Sequence, residues 1–174
     1  MERRSAIRDL VFTVGGVILW PSCKNTPGSA SIRLKNVEIN AAQEMLLSEI
    51  SSTIIPNTDT PGAKEIGVHL FVLKMLDDCY EKEDQQKFIA GLNRLEADTK
   101  KRFGYSFHKC SVTQRRELLE SIENNNSIPA ETSHFYGIMK DRTIQGFLNS
   151  KYVMTNLVIY EMIPSIPYNG YAPA

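Results

Sequence analysis

The sixteen residues Thr53 to Val68, Thr-Ile-Ile-Pro-Asn-Thr-Asp-Thr-Pro-Gly-Ala-Lys-Glu-Ile-Gly-Val, stop one helix and start another with almost no spacer. Pro56 lacks a backbone N–H and disfavours helical geometry in the residue before it, so a preceding helix has to end there. Thr60 can cap the following helix through its hydroxyl, and Pro61 suits the first helical position. Asp59 places a favourable negative charge near that N-terminus. By shape alone, the stretch predicts a rigid turn between two helices.

Apolar residues at three- and four-residue spacing predict about five helices in all, and hence an all-α fold with a single compact helical domain. The first begins at Asn40, which forms a capping-box pattern with Gln43, and ends at about Ile55. The others are predicted at 61–80, at 83–102 with Gly104 as a left-handed stop, from a capping box at Ser111 to the asparagines at 124–126, and at 134–148. We interpret Gly137 and Gly146 as sites of close approach to another backbone.

The C-terminal part of the chain is predicted to leave helical structure. Lys151 to Glu161 favours strand by composition but does not alternate cleanly, so we predict a short helix or an irregular segment. Prolines prevent a helix from continuing through Ile163 to Ala174, so this tail is predicted to be extended. Its isoleucines and tyrosines, Tyr168 and Tyr171 among them, need a surface to pack on, which is either this domain or a partner.

The composition excludes several classes of function. Twenty basic and twenty acidic side chains cancel in a chain of 174 residues, which argues against nucleic acid as a partner. The three cysteines form no CxxC or CxxCH pattern, and the three histidines are isolated, so the sequence offers no metal site. It also contains no glycine-rich phosphate loop between a strand and a helix, no nucleophile elbow and no HExxH. We therefore predict no catalytic, cofactor-binding or metal-binding residue.

Residues 1–22 match an export signal and are set apart from the fold. A basic zone with Arg3 and Arg4 precedes the eleven apolar-zone residues Leu10 to Trp20. As a helix this run is about 16 Å long, which is too short for a hydrocarbon core of about 30 Å. The alternative interpretation is a buried N-terminal helix.

Two short patterns indicate how the chain is exported. Glu2 to Arg8 resembles the twin-arginine signal, a route for folded cargo, although Ala6 stands where that signal has an aromatic residue. Ser22-Cys23 resembles a lipoprotein cleavage box, with Cys23 as the lipidated residue; the alternatives are ordinary cleavage nearby or an uncleaved anchor. We predict a periplasmic protein whose contact with the membrane is a lipid anchor, with a tether at 23–39 and the helical domain at 40–174.

Export also affects how the other cysteines are interpreted. An oxidising compartment permits disulfides, so with Cys23 lipidated the candidate pair is Cys79 and Cys110. The alternatives are two separate buried thiols, or a bridge from one of them to a partner subunit.

As a literal string, Thr53 to Val68 resembles the hallmark loop of the gluconate 2-dehydrogenase subunit 3 family. The resemblance covers about 42–170, and further motifs follow in the family's order. They are Phe71 to Tyr80, Phe88 to Leu95, Arg102 to Gly104 leading to Ser111-Val-Thr-Gln-Arg115, Thr143 to Phe147, Ser150, Ile163-Pro164, and Tyr168 to Gly170.

The resemblance implies a small, non-catalytic helical subunit that binds a FAD-dependent, glucose-methanol-choline-type sugar or polyol dehydrogenase and helps to export or mature it. The FAD then belongs to the partner, and a cytochrome c is the expected electron acceptor. We expect the interface to use the loop and the tail, through Pro56, Asp59, Thr60, Pro61, Tyr168 and Tyr171. The alternative is a free-standing exported lipoprotein that binds a sugar or has its own activity, using the loop at Asp59 and Thr60.

Overall fold

The computed structural model describes residues 28–124 and 129–158, and within them the chain is helical, without strands. The α-helices are α1 (Ala41–Ile54), α2 (Ala63–Ile66), α3 (Val68–Cys79), α4 (Lys82–Phe103), α5 (Val112–Asn124) and α6 (Ala130–Leu148). A 3₁₀ turn spans Phe107–Lys109 and a π-helical turn spans Val153–Leu157. The prediction of one compact all-α domain is confirmed for this part of the chain.

Helix α6 lies at the centre of the domain, where it packs along α4 and also against α3, α1 and α5. Its Phe135 meets Phe88 of α4 edge to face, with ring centroids 4.8 Å apart. The largest fully buried side chains, drawn from α1, α3, α4, α6 and the 3₁₀ turn, are Phe88, Phe107, Phe135, Leu47, Ile50, Leu73, Leu76, Leu92, Leu95 and Met139. One continuous core therefore joins these elements, and its burial supplies most of the driving force for folding.

The α4–α6 contact depends on Gly91. A Cβ added there would lie 2.4 Å from both the carbonyl oxygen of Glu131 and the Cβ of Phe135. The two helix backbones can come this close only because residue 91 has no side chain.

The glycines of α6 have other roles than predicted. A Cβ on Gly137 would meet nothing within 4 Å, so the prediction of a close approach at Gly137 is wrong. Gly146 does mark a close approach, but its neighbours are the side chains of Phe71 and Val68 rather than a backbone.

The helix ends encoded by local sequence occur as predicted. Asn40 and Gln43 form the capping box of α1. At the start of α5, the Ser111 amide donates to the side chain of Gln114 at 2.9 Å, and the Gln114 amide donates to the Ser111 hydroxyl at 3.3 Å. Gly104 ends α4 in the left-handed conformation, with φ of 81°.

The predicted helix at 61–80 is in fact two helices. Helix α2 begins at Ala63 rather than Pro61, and Gly67, with φ of 76°, separates it from α3. The apolar period continues across Gly67, so periodicity alone does not reveal the break. Helix α6 also starts four residues before the predicted His134, at Ala130, with Pro129 as its N-cap residue.

Residues 28–39, predicted as part of a tether, lie against the helices as an irregular segment. The carboxylate of Asp77, 1% exposed, accepts the backbone amides of Lys35, Asn36 and Val37 at 2.6 to 3.1 Å. Burial alone would raise the pKa of Asp77, but these amide donors outweigh it and the pKa is lowered. Val37 is then buried against the core.

Residues 151–157 are helical, within the alternatives predicted for Lys151 to Glu161: helical residues 151–152 lead into the π-helical turn, which ends at Leu157. The predicted export signal and extended tail lie outside the described residues. Among the helices that are described, none combines the length and the apolar character that a membrane span requires.

We predict that Gly91→Ala lowers the free energy of unfolding by about 3 kcal/mol, because the new methyl group meets a backbone carbonyl that cannot move aside. The matched control is Gly137→Ala on the exposed side of α6, where the same change should stabilise the fold by about 0.5–1 kcal/mol through helix propensity. Urea denaturation of both variants measures the difference. A Gly91→Ala protein as stable as the native chain would show that the α4–α6 contact is not limited by this glycine.

Candidate interaction site

The turn between α1 and α3, which we call the corner (residues 55–67), is closed by backbone contacts. The amide of Ala63 donates to the carbonyl of Ile55 at 3.0 Å, and the amide of Gly62 donates to the side-chain oxygen of Asn57 at 2.5 Å. A Cβ on Gly62 would lie 2.7 Å from the Ile55 oxygen and from the Asn57 nitrogen. Residue 62 therefore has to be glycine, because any side chain would collide with the backbone of residues 55–57.

Asn57, rather than the predicted Thr60, supplies the side-chain oxygen that accepts a backbone amide at the start of α2. The N-cap residue of α2 is Gly62, which supplies no side-chain cap, so the predicted cap at Thr60 and first helical position at Pro61 are both wrong. Thr60 contributes its backbone carbonyl, which accepts from Thr58 at 3.1 Å. The Asn57 side chain also donates to Glu65 at 2.6 Å, so it bridges the start of the corner to α2.

Glu49 of α1 connects the corner to α5. It pairs with Lys64 of α2 at 2.5 Å and with Arg115 of α5. The Arg115 guanidinium also donates to three backbone carbonyls of residues 107–110 at 2.6 to 3.1 Å and lies 5.5 Å from the centre of the Phe107 ring. One carboxylate thus holds α2, α5 and the 3₁₀ turn against α1.

The charge state of Glu49 follows from these contacts. Burial favours the neutral acid and would raise its pKa, but the hydrogen bonds and charges of Lys64 and Arg115 outweigh burial, and the pKa falls below its usual 4.5. The Glu49 and Arg115 side chains are 14% and 15% exposed, so solvent screens their attraction less than it would at the surface.

A cavity of about 440 Å³ lies beside the corner, with Glu49, Lys64, Glu44 and His69 in its wall. His69 Nε2 is 3.8 Å from Glu44, and its Nδ1 is buried without a hydrogen-bond partner. Burial lowers the pKa of His69 more than the Glu44 charge raises it. Across the described residues, no group of three or more His, Cys, Asp or Glu side chains is placed to hold a metal ion.

The predicted interface residues divide by exposure. Pro56 and Asp59 are exposed at the tip of the corner, whereas Thr60 and Pro61 are half-buried beneath it. The other predicted sites lie outside the described residues: Tyr168 and Tyr171 of the tail, Arg3 and Arg4 of the export signal, and Cys23.

Cys79 and Cys110 are both free thiols. Cys79 is exposed at the end of α3, while Cys110 is buried after the 3₁₀ turn with its sulfur 3.7 Å from the carbonyl of Ser106. Burial raises the pKa of the Cys110 thiol. The alternative of two separate buried thiols therefore fits Cys110 but not Cys79.

Glu49, Arg115 and Asn57 are the residues that sequence reasoning missed. Asn57 and Arg115 both lie in stretches that resemble family motifs. The motifs do not indicate which contacts these two side chains make. The Glu49–Arg115 contact joins residues 66 positions apart in sequence, and a contact at that separation cannot be predicted from the spacing of neighbouring residues.

A family model described as Gluconate 2-dehydrogenase subunit 3 matches residues 41–165, which include all of α1 to α6. The name describes a subunit of a dehydrogenase, and thus an accessory chain within a larger complex. Searches of the curated proteins and of the solved structures found no match.

We predict that Asn57→Ala costs about 1–2 kcal/mol of unfolding free energy, because the Gly62 amide loses its acceptor. Thr60→Ala, three residues along the same turn, should change stability by less than about 0.5 kcal/mol, since its side chain is not the cap. Thermal and urea denaturation of the two variants decide between the roles. A larger loss for Thr60→Ala than for Asn57→Ala would contradict this assignment.

Proposed function

Because the chain belongs to the gluconate 2-dehydrogenase subunit 3 family, we propose that it is the non-catalytic accessory subunit of a FAD-dependent dehydrogenase complex. Its partner is a catalytic subunit of the glucose-methanol-choline type, which holds the FAD and acts on a sugar or polyol. This chain binds that subunit and helps it to be exported or matured. The family match over residues 41–165 is the observation that carries the proposal.

The construction of the corner supports a binding role. Two of its polar side chains make contacts within the domain: Asn57 accepts the Gly62 amide, and Lys64 pairs with Glu49. Pro56 and Asp59 remain exposed on this braced turn. A loop that is already fixed loses little conformational entropy on binding, so it suits contact with a large partner.

The N-terminal sequence supports the export part of the proposal. A twin-arginine route carries folded cargo, so Arg3 and Arg4 would let this chain take a folded, FAD-loaded partner across the bacterial inner membrane. Lipidation at Cys23 would then keep the complex at the periplasmic face of that membrane, where a cytochrome c can accept electrons from the catalytic subunit.

The proposal is tested by co-expressing the chain with the catalytic subunit and assaying both in periplasmic and cytoplasmic fractions. We predict that Arg3→Lys with Arg4→Lys leaves the catalytic subunit in the cytoplasm, because the paired arginines are the receptor-read part of the signal. Arg8→Lys is the same charge-conserving replacement outside the pair and should leave export intact.

The same preparation separates the subunit from the free-standing alternative. The mature chain, purified alone, should bind no sugar and reduce no acceptor dye, and it should retain the flavin-containing catalytic subunit in a pull-down. Sugar binding or dye reduction by the chain alone, without retention of that subunit, would replace the accessory role with an independent one.

A further inference from the structure

The part of the chain that ends α4 and begins α5 is strongly basic. Residues 100–116, which we call the basic segment, carry six of the chain's twenty basic side chains and none of its twenty acidic ones. Two of the six are neutralised within the domain, since Lys100 pairs with Glu96 at 3.1 Å and Arg115 pairs with Glu49. The other four are exposed and take part in no ion pair among the described residues: Lys101, Arg102, Lys109 and Arg116.

Side-chain contacts fold the basic segment back on itself. The Arg102 guanidinium lies 5.1 Å from the centre of the Phe103 ring, which stacks on the ring of Tyr105. The Tyr105 hydroxyl donates to the side chain of Gln114 at 3.0 Å and so connects the end of α4 to the start of α5. Between them, Arg115 donates to the carbonyls of the 3₁₀ turn and of the residue after it. The exposed cations therefore lie together at one end of the domain.

Two exposed apolar side chains lie among these cations. Val112, in the first turn of α5, is 66% exposed, and Tyr105 is 38% exposed. A tyrosine ring is apolar with a polar tip, and such rings favour the headgroup level of a membrane. Basic side chains mixed with a tyrosine and an aliphatic residue are typical of surfaces that bind anionic lipid.

The ends of helices explain only part of the basic segment. Cations in the last turn of a helix interact favourably with its dipole, which accounts for Lys101 and Arg102 at the end of α4. The same effect does not extend to Lys109 on the 3₁₀ turn or to Arg116 on α5. It also gives no reason for the absence of acidic residues from the whole segment.

The described chain begins beside the basic segment. Gly28, its first residue, is held to the start of α1 by a backbone hydrogen bond of 3.0 Å, and it shares a cavity of about 560 Å³ with Lys100, Ser106 and His108. Cys23, the predicted lipidation site, comes five residues before Gly28, and five residues span at most about 18 Å. A lipid on Cys23 would therefore keep this side of the domain closest to the membrane.

We infer that the basic segment binds the anionic phospholipid headgroups of the membrane that holds the lipid of Cys23, and thereby orients the domain on that membrane. The inference rests on the proposed function, which places a lipid-anchored chain at the periplasmic face. A lipid anchor and a basic patch reinforce each other in membrane attachment. Each exposed Lys or Arg near an anionic surface strengthens binding about fivefold.

Binding of the mature chain to vesicles tests the inference. The chain from Cys23 to Ala174, made without the export signal so that it carries no lipid, is sedimented with vesicles of phosphatidylglycerol and phosphatidylcholine, or of phosphatidylcholine alone. We expect binding to the anionic vesicles in about 0.1 M salt, and loss of that binding in about 1 M salt because the charges are then screened. Neutral vesicles should not retain the chain.

Two double variants of α4 localise the contact. Lys101→Gln with Arg102→Gln should weaken binding to the anionic vesicles about tenfold or more. Lys82→Gln with Lys87→Gln removes the same charge from exposed positions on the same helix, about 20 Å or more away along its axis. This control should change binding by less than about twofold, since screening acts over about 10 Å in 0.1 M salt. Equal losses from the two variants would overturn the inference.

The results also separate this inference from the proposed function. If the native chain does not prefer anionic to neutral vesicles, the inference fails whatever the catalytic subunit does. If Lys101→Gln with Arg102→Gln binds vesicles normally but loses affinity for the catalytic subunit, the basic segment is a protein interface, so the inference fails and the accessory role stands. Vesicle binding through the basic segment by a chain that does not retain the catalytic subunit would refute the accessory role alone.

Discussion

The placement of the corner, α5 and the 3₁₀ turn around α1 depends on Glu49, a carboxylate of α1 that binds a cation from each of two segments distant in sequence. Lys64 reaches it from α2, inside the corner, and Arg115 reaches it from α5. Arg115 in turn holds the backbone of the 3₁₀ turn. Two of the motifs that resemble the family's own, the loop and the Ser111 to Arg115 string, therefore contact the same residue, Glu49. Because the Glu49 and Arg115 side chains are largely removed from water, breaking their pair leaves a charge without its opposite partner.

Features that depend on residues near one another in sequence could be predicted. The capping boxes at Asn40 and Ser111 and the left-handed stop at Gly104 need only a few neighbouring residues, and all three occur. The spacing of apolar residues also predicted the helical fold, because it too is a pattern of residues that are close in sequence. Periodicity failed at Gly67, where the apolar pattern continues through a left-handed residue and conceals a break between two helices.

Features that depend on distant contacts could not be predicted. The role of Gly91 is set by Glu131 and Phe135 on another helix. The cap assigned to Thr60 is replaced by Asn57, because the turn folds back and brings Asn57 to Gly62. The corner thus has a structural interior and an exposed tip, which agrees with a site that presents a surface to a partner.

The most direct test of this account is a double-mutant cycle between Glu49→Gln and Arg115→Met, measured by urea denaturation. At neutral pH we predict a coupling free energy of about 2–3 kcal/mol, since each substitution alone removes the closest opposite charge from a largely buried group. The pKa of Glu49 is lowered in the folded chain, so its stabilising effect is complete above 4.5 and is lost as the pH falls through the folded value. The coupling should shrink over that same acidic range. Additive effects within about 0.5 kcal/mol at neutral pH would contradict the claim that Glu49 joins the two motifs.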